Sequence, residues 1–367
     1  MDTRPNLDRS ALRLAERLIQ LLDEGSFTAT YKYAVLIGLM DLCMELTSAT
    51  GSPPEVITTR QLAEKVIELY WPHCMPYPER VLRQSSAGKQ AEIVQRIQRF
   101  REGVGDLSFA AARRASGGEP YEQLTRSVEW KLVEMPLPKL QLIGREEDRF
   151  IYEYNFPRRM ENQRLLQPYW EGTGETFDNR LLLRENVGAS LIALNGVLRP
   201  LIHRQWAMMV AKLNDLQEAA LETFLFGHER IALDPVRRPL RELQSHRCFY
   251  CGDAISAQCE VDHFIPWARH ADNGIHNLVA VDGRCNNRKR AYLAAAEHVE
   301  RWRRRTKDHA SDLAEIARKT SWESLPERTF SVARAIYRML PEDARLWRAG
   351  DELIPIERPR INAALAA

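Results

Sequence analysis

Four short stretches in the C-terminal half of this 367-residue chain carry side chains that can do chemistry. They are Cys248-Phe-Tyr-Cys251, Val261-Asp262-His263-Phe264-Ile265-Pro266, His276-Asn277-Leu278 and Cys285-Asn286-Asn287-Arg288-Lys289. Thiols are soft ligands suited to zinc, whereas carboxylate and carboxamide oxygens are hard ligands suited to Mg²⁺ or Mn²⁺. An imidazole with an unperturbed pKa of about 6.5 is mostly neutral at pH 7 and can take a proton from water. Such a set matches the needs of phosphodiester hydrolysis. The ester is an anion that repels hydroxide, so the reaction calls for a base, a divalent cation and a positioned substrate. Asp262 and His263 are neighbours near a strand end, so their side chains diverge to opposite faces. One can hold metal while the other reaches water.

The elements that must position these groups are readable nearby. Cys259-Glu-Val-Asp262 predicts a strand, Asn277-Leu-Val-Ala-Val281 a second, and Asn286 to Arg305 a helix. In this order, strand, loop, strand and helix, the stretches resemble the HNH nucleases, the ββα-metal family. The resemblance spans roughly Leu240 to Arg305. It implies that His263 is the general base and that Asp262 and Asn286 hold a catalytic Mg²⁺ or Mn²⁺. It also implies that Asn277 hydrogen-bonds near the base and fixes its orientation, and that DNA is the partner. Taken singly, each residue has a plainer reading: an Asp-His pair is commonly a surface turn, and Asn-Leu before an apolar run a strand entry.

Cys248 and Cys251, with Cys285 after the second strand, read as a structural Zn²⁺ clip. The usual second pair would be Cys-x-x-Cys, but the position three before Cys285 is Asp282. Aspartate can bind zinc at about 2.0–2.2 Å, and Cys259 is the other candidate for the fourth ligand. Without zinc, Asp282 would cap the turn before the helix. His246 and His270 read as surface residues, and Cys43 and Cys74 as ordinary buried ones. Six cysteines, three of them in the motif, point to metal use in a reducing compartment rather than a disulfide framework.

From Arg284 to Lys307 nine Arg or Lys stand against two Glu, a local charge of +7 in a chain whose net charge is +2. Arg284, Arg288, Lys289 and Arg290 are expected beside the metal site, where a phosphate would lie. Arg301, Arg303, Arg304 and Arg305 could extend a track along a nucleic-acid backbone. Tyr292, Ala296, Val299 and Trp302 recur at helical spacing and should pack on the strands.

The first half is less legible. Ser10–Leu22 and Tyr31–Leu46 read as helices, and Thr58-Thr59 as the cap of a third. Arg96, Arg99 and Arg101 lie on an amphipathic stretch that could face DNA. Lys139–Ile143 and Arg149–Asn155 read as a hairpin through 144–148, which makes the order compatible with a winged helix. Loops are expected at 115–120 and 168–178. A helical pattern from Val187 to Phe226 is expected to break before Arg199, because Pro200 follows. Glu327–Leu340 is expected to continue as a helix to Trp347.

The expected fold is α+β: a mainly helical N-terminal region, then a ββα-metal HNH nuclease domain and terminal helices. The expected segments are 1–115, 116–235, 236–310 and 311–367. The pattern of a P-loop, a GxSxG elbow or a GxGxxG turn is absent. No signal-peptide pattern opens the sequence, and the most apolar run, Ala34–Leu46, contains Asp41 and is short for a bilayer, so a cytoplasmic protein is expected. By analogy, restriction or anti-phage defence is the expected setting, with a defence-system protein or guide complex as a further partner. The alternative is a zinc-stabilised DNA-binding or nuclease subunit that stays inactive until a partner or target binds.

Overall fold

The computed structural model describes residues 4–25, 27–77, 79–116, 118–144, 146–158, 163–173, 177–227 and 232–366. Met1–Thr3, Gly117 and Arg145 of the expected loops, and 174–176 lie outside the described residues. Contacts group the chain into two compact units, Met1–Cys43 with Pro54–Gly227, and Met44–Pro53 with His228–Ala367.

The first unit runs α1 (Arg4–Glu24), α2 (Tyr31–Glu45), β1 (Val56–Thr58), α3 (Thr59–Tyr70), α4 (Glu92–Val104), α5 (Phe109–Ala115), α6 (Glu119–Glu134), α7 (Pro136–Leu140), β2 (Leu142–Ile143), β3 (Glu146–Glu147), β4 (Tyr152–Tyr154), α8 (Gln167–Trp170), β5 (Arg180–Leu183), α9 (Val187–Ala193), α10 (Asn195–Asn214) and α11 (Glu218–Phe226). The last two residues of α2 belong to the second unit. Because α2 is apolar on all sides, Ala34 to Met44 are buried throughout, and Asp41 within it is paired with the buried Arg199. Thr58 caps α3 in a reciprocal box with Gln61.

Three strands form an antiparallel sheet in the order β1-β5-β4, with Ile57 and Tyr154 both opposite Leu181. The strands of this sheet are not those of the expected hairpin. Lys139 lies in α7, Leu142–Ile143 pair with Glu146–Glu147, and Tyr152–Tyr154 pair with β5. The reason is Gln141. Its Oε1 accepts from the backbone N–H of Ile151 and Tyr152, at 2.7 and 3.1 Å, and its Nε2 donates to the Tyr152 carbonyl at 2.9 Å. A side chain thus occupies the edge that a strand over 139–143 would have used.

The arginines expected to face DNA are mostly consumed within this unit. Arg96 donates to the Ser127 carbonyl and pairs with Glu92, and Arg101 donates to the Trp71 carbonyl with its guanidinium 4.6 Å from that ring. Of the three, Arg99 is exposed. The helix break comes at Leu194, and Pro200 is carried inside α10.

The second unit runs α12 (Asp234–Leu243), β6 (Glu260–His263), β7 (Leu278–Val281), α13 (Gly283–Lys289), α14 (Ala296–Asp308), α15 (Ala310–Thr320), α16 (Pro326–Arg338), β8 (Arg345–Ala349), β9 (Glu352–Pro355) and α17 (Arg358–Ala366). The expected single helix from Asn286 to Arg305 is two. α13 ends at Lys289, Arg290 follows with a φ of 49°, and the chain then runs extended beside β8: Trp347 N–H donates to Leu293 O, and Ala295 N–H to Trp347 O, both at 2.8 Å. That pairing also explains why Trp347 lies on a strand rather than on a continued helix, and why Tyr292 is exposed. Ala296, Val299 and Trp302 do form the buried face of α14, with Trp302 stacked on Phe264 at 4.5 Å.

Candidate active site on the hairpin and short helix

β6 and β7 pair antiparallel, with Glu260 opposite Val281, Asp262 opposite Val279 and His263 opposite Leu278. Alternation along β6 puts Glu260 and Asp262 on one face and His263 on the other. α13 packs on the first face. Asn286 and Lys289, three residues apart, share one side of the helix. Asn286 Nδ2 donates to Glu260 Oε2 at 2.5 Å, and Lys289 Nζ lies 2.9 Å from Asp262 Oδ2 and donates to the His263 carbonyl, also at 2.9 Å. Tyr250 donates its hydroxyl to the same Asp262 oxygen at 2.6 Å, and burial followed by that carboxylate's charge pushes the phenol well above its ordinary pKa. Lys289, expected on the phosphate side, is therefore a buried partner of Asp262. A charge removed from water is tolerated when its counter-charge and hydrogen bonds are in place, and both are here.

On the opposite face, His263 Nε2 lies 2.8 Å from Asn273 Oδ1, and the ring centroid is 5.3 Å from that of Trp267. Asn273 is held in turn by Trp322, whose indole donates to its carbonyl. Next to it, Asp272 accepts from Gly274 N–H and Thr329 Oγ1, both at 2.7 Å. Burial alone would raise the Asp272 carboxyl, yet Arg328, His270 and these hydrogen bonds hold it below the usual range. Asn277 makes its hydrogen bonds to backbone near the base. Its Oδ1 accepts from Ile265 N–H at 2.8 Å and its Nδ2 donates to the carbonyls of Ile265 and Asp272, so it ties together both ends of the loop that follows His263. His270, expected at the surface, is buried with Nε2 3.2 Å from Glu45 Oε1.

The sulfurs of Cys248, Cys251 and Cys285 lie within 4.8 Å of one another. The turn that brings the first two together places Gly252 at φ 80°, a conformation costly for a residue with a Cβ. The backbone N–H of Asp282 donates to Cys248 Sγ at 3.3 Å. Burial, then the neighbouring sulfurs, push the Cys285 thiol up. A bound divalent cation reverses that logic, because it favours thiolates. The donor set therefore fits a soft metal ion. Neither candidate for a fourth ligand joins the group. Asp282 instead caps α13, accepting from Arg284 N–H at 2.8 Å and from Arg284 Nε at 3.1 Å, and these contacts hold its carboxyl low. Cys259 is buried outside the cluster.

The cations divide sharply. Arg284, Arg288 and Arg290 are exposed on or just past α13, with Arg284 beside Asp282 and Arg288 beside Asp351. The second cluster is largely structural. Arg301 donates to the carbonyls of Phe249 and Tyr250, Arg303 lies 3.9 Å over the Phe330 ring, and Arg305 is buried and donates to the Leu278 carbonyl. Arg304 alone of the four neither does this nor leaves the surface. The roles of Glu260, Tyr250 and Asn273 were not read from sequence. Glu260 alone left a trace there, two positions before Asp262 and so on the same strand face.

Residues 248–295 match the family model of the HNH endonucleases, so the second unit carries an HNH-family domain with a cluster of three cysteines that could coordinate a metal ion. Residues 11–225, more than half of the chain, match the model of a family described as a domain of unknown function (DUF8808), and the chain belongs to that family. No curated protein and no solved structure matches it. Among the described residues, no helix is long and apolar enough to cross a membrane.

Proposed function

We propose that this protein is a metal-dependent endonuclease that hydrolyses DNA phosphodiester bonds through its HNH domain. The observation that carries the reading is the seam between β6 and α13, where Glu260 meets Asn286 and Asp262 meets Lys289 from the same strand face while His263 lies on the other side of the strand. Asp262 and Asn286 are the proposed ligands of Mg²⁺ or Mn²⁺, since a carboxylate and a carboxamide oxygen suit a hard cation. The ion would supply stabilisation of the charge that builds on the phosphate. His263 is the proposed base, taking a proton from the attacking water. Asn273 holds its ring, and Asn277 holds the loop that carries Asn273. Arg284, Arg288 and Arg290 are the proposed phosphate contacts. Zn²⁺ on Cys248, Cys251 and Cys285 is proposed to staple the Cys248–Cys251 turn to the start of α13.

Three exposed arginines can hold any backbone, so target choice is proposed to lie elsewhere in the chain, in restriction or anti-phage defence. A second reading is favoured by one contact. Lys289 already neutralises Asp262, which suits a nuclease subunit that stays inactive until a partner, target or guide complex rearranges the seam. Incubating the purified full-length protein with plasmid, modified phage DNA and single strands tests both. Cleavage that requires Mg²⁺ or Mn²⁺ supports the first reading, cleavage only after a partner is added supports the second, and metal-independent cleavage contradicts both.

A further inference from the structure

We propose that Glu260 is a positioning residue for the catalytic cation, acting through Asn286; this rests on the metal-dependent nuclease reading above. Glu260 is half-buried on β6, and among the described residues its carboxylate has one hydrogen-bond partner, Asn286 Nδ2 at 2.5 Å, and no Lys or Arg. A carboxamide offers an acceptor oxygen on one side and a donor NH₂ on the other, and rotating it by about 180° exchanges them. Only the oxygen can bind a cation. By accepting from Nδ2, the Glu260 carboxylate turns Oδ1 of Asn286 away from itself and fixes which end of the amide is presented.

The backbone makes room for this contact. A Cβ at Gly283 would stand 2.8 Å from Glu260 Oε1, so a glycine at the start of α13 leaves the carboxylate its place beside Asn286. Lys289, one turn further along the helix, is occupied by Asp262 and leaves the Glu260 charge without a cation. Residues that orient ligands in this way typically change metal affinity 10–100-fold when removed.

The test is Mn²⁺ binding to the full-length protein without nucleic acid, read from the electron paramagnetic resonance of free Mn²⁺, with thermal melts to show that each variant is folded. Glu260→Ala should weaken binding about tenfold or more. Glu260→Gln keeps an acceptor for Nδ2 and should stay within about threefold of the wild type. The double variant Glu260→Ala/Asn286→Ala should bind no more weakly than Asn286→Ala alone, because the effect runs through Asn286. The proposal is overturned if Glu260→Ala binds like the wild type, if Gln is as damaging as Ala, or if the double variant shows the product of both losses. Wild-type protein that binds no Mn²⁺ overturns the nuclease reading together with this one. Wild-type binding that Glu260→Ala leaves intact overturns this one alone.

Discussion

Lys289 Nζ lies 2.9 Å from Asp262 Oδ2, and the lysine side chain has no exposed surface. The pair ties α13 to β6, and removing one partner strands a buried charge. Lys289→Met should therefore cost about 3–5 kcal/mol in chemical denaturation. Arg284→Ala, which breaks an ion pair whose arginine is 82 % exposed, should leave stability nearly unchanged. Equal losses would show that the Lys289 contact does not hold the helix.

The thiols make a separate prediction. Purified protein should carry about one zinc per chain, and Cys248→Ser or Cys285→Ser should lower zinc content and thermal stability together. Asp282→Ala should keep its zinc and lose only its cap, about 1 kcal/mol. Loss of zinc from Asp282→Ala in elemental analysis would return that residue to the ligand set.

The hairpin was legible because its strands lie close in sequence and alternate with period two, and the thiol cluster because Cys248 and Cys251 stand three residues apart and Cys285 directly precedes Asn286. The partners across the seam were not. Lys289 looked like one more cation in a basic run, and only the register of α13 on β6 shows that it points inward with Asn286. Arg305 carried a signal that could have been used, since it follows Trp302 by three residues and shares its buried face. The sheet of the first unit was out of reach for another reason. β1 pairs with a strand far along the chain, and strands of three or four residues leave little pattern to mark such a partner.

His276 gives stability a pH dependence. Burial, then the nearby Arg305, lowers its pKa from 6.5 to about 4, so the folded state holds the ring neutral. Above the unfolded value, near pH 6.5, that contribution is fully present. As pH falls from there to about 4 the unfolded chain binds a proton that the folded one refuses, and stability drops. His276→Gln should flatten denaturation midpoints across this window relative to the wild type. Parallel curves for the two proteins would assign the loss to other groups.

In the first unit, Arg101 is expected to matter for folding and Arg99 to be free for other work. Arg101→Ala gives up a carbonyl contact and the stack on Trp71, and should destabilise by about 1–2 kcal/mol. Arg99→Ala should change stability by less than about 0.5 kcal/mol. Thermal melts that rank them the other way would contradict the packing described for α4.

The central claim is that His263 does the chemistry while other residues hold the nucleic acid. It is tested most directly by measuring cleavage and DNA binding together for the wild type and His263→Ala at matched Mg²⁺. The account predicts metal-dependent cleavage by the wild type, a fall of at least about 100-fold in the variant, and DNA affinity that is nearly unchanged. A variant that still cuts at more than roughly a tenth of the wild-type rate would contradict the assignment of His263 as the base.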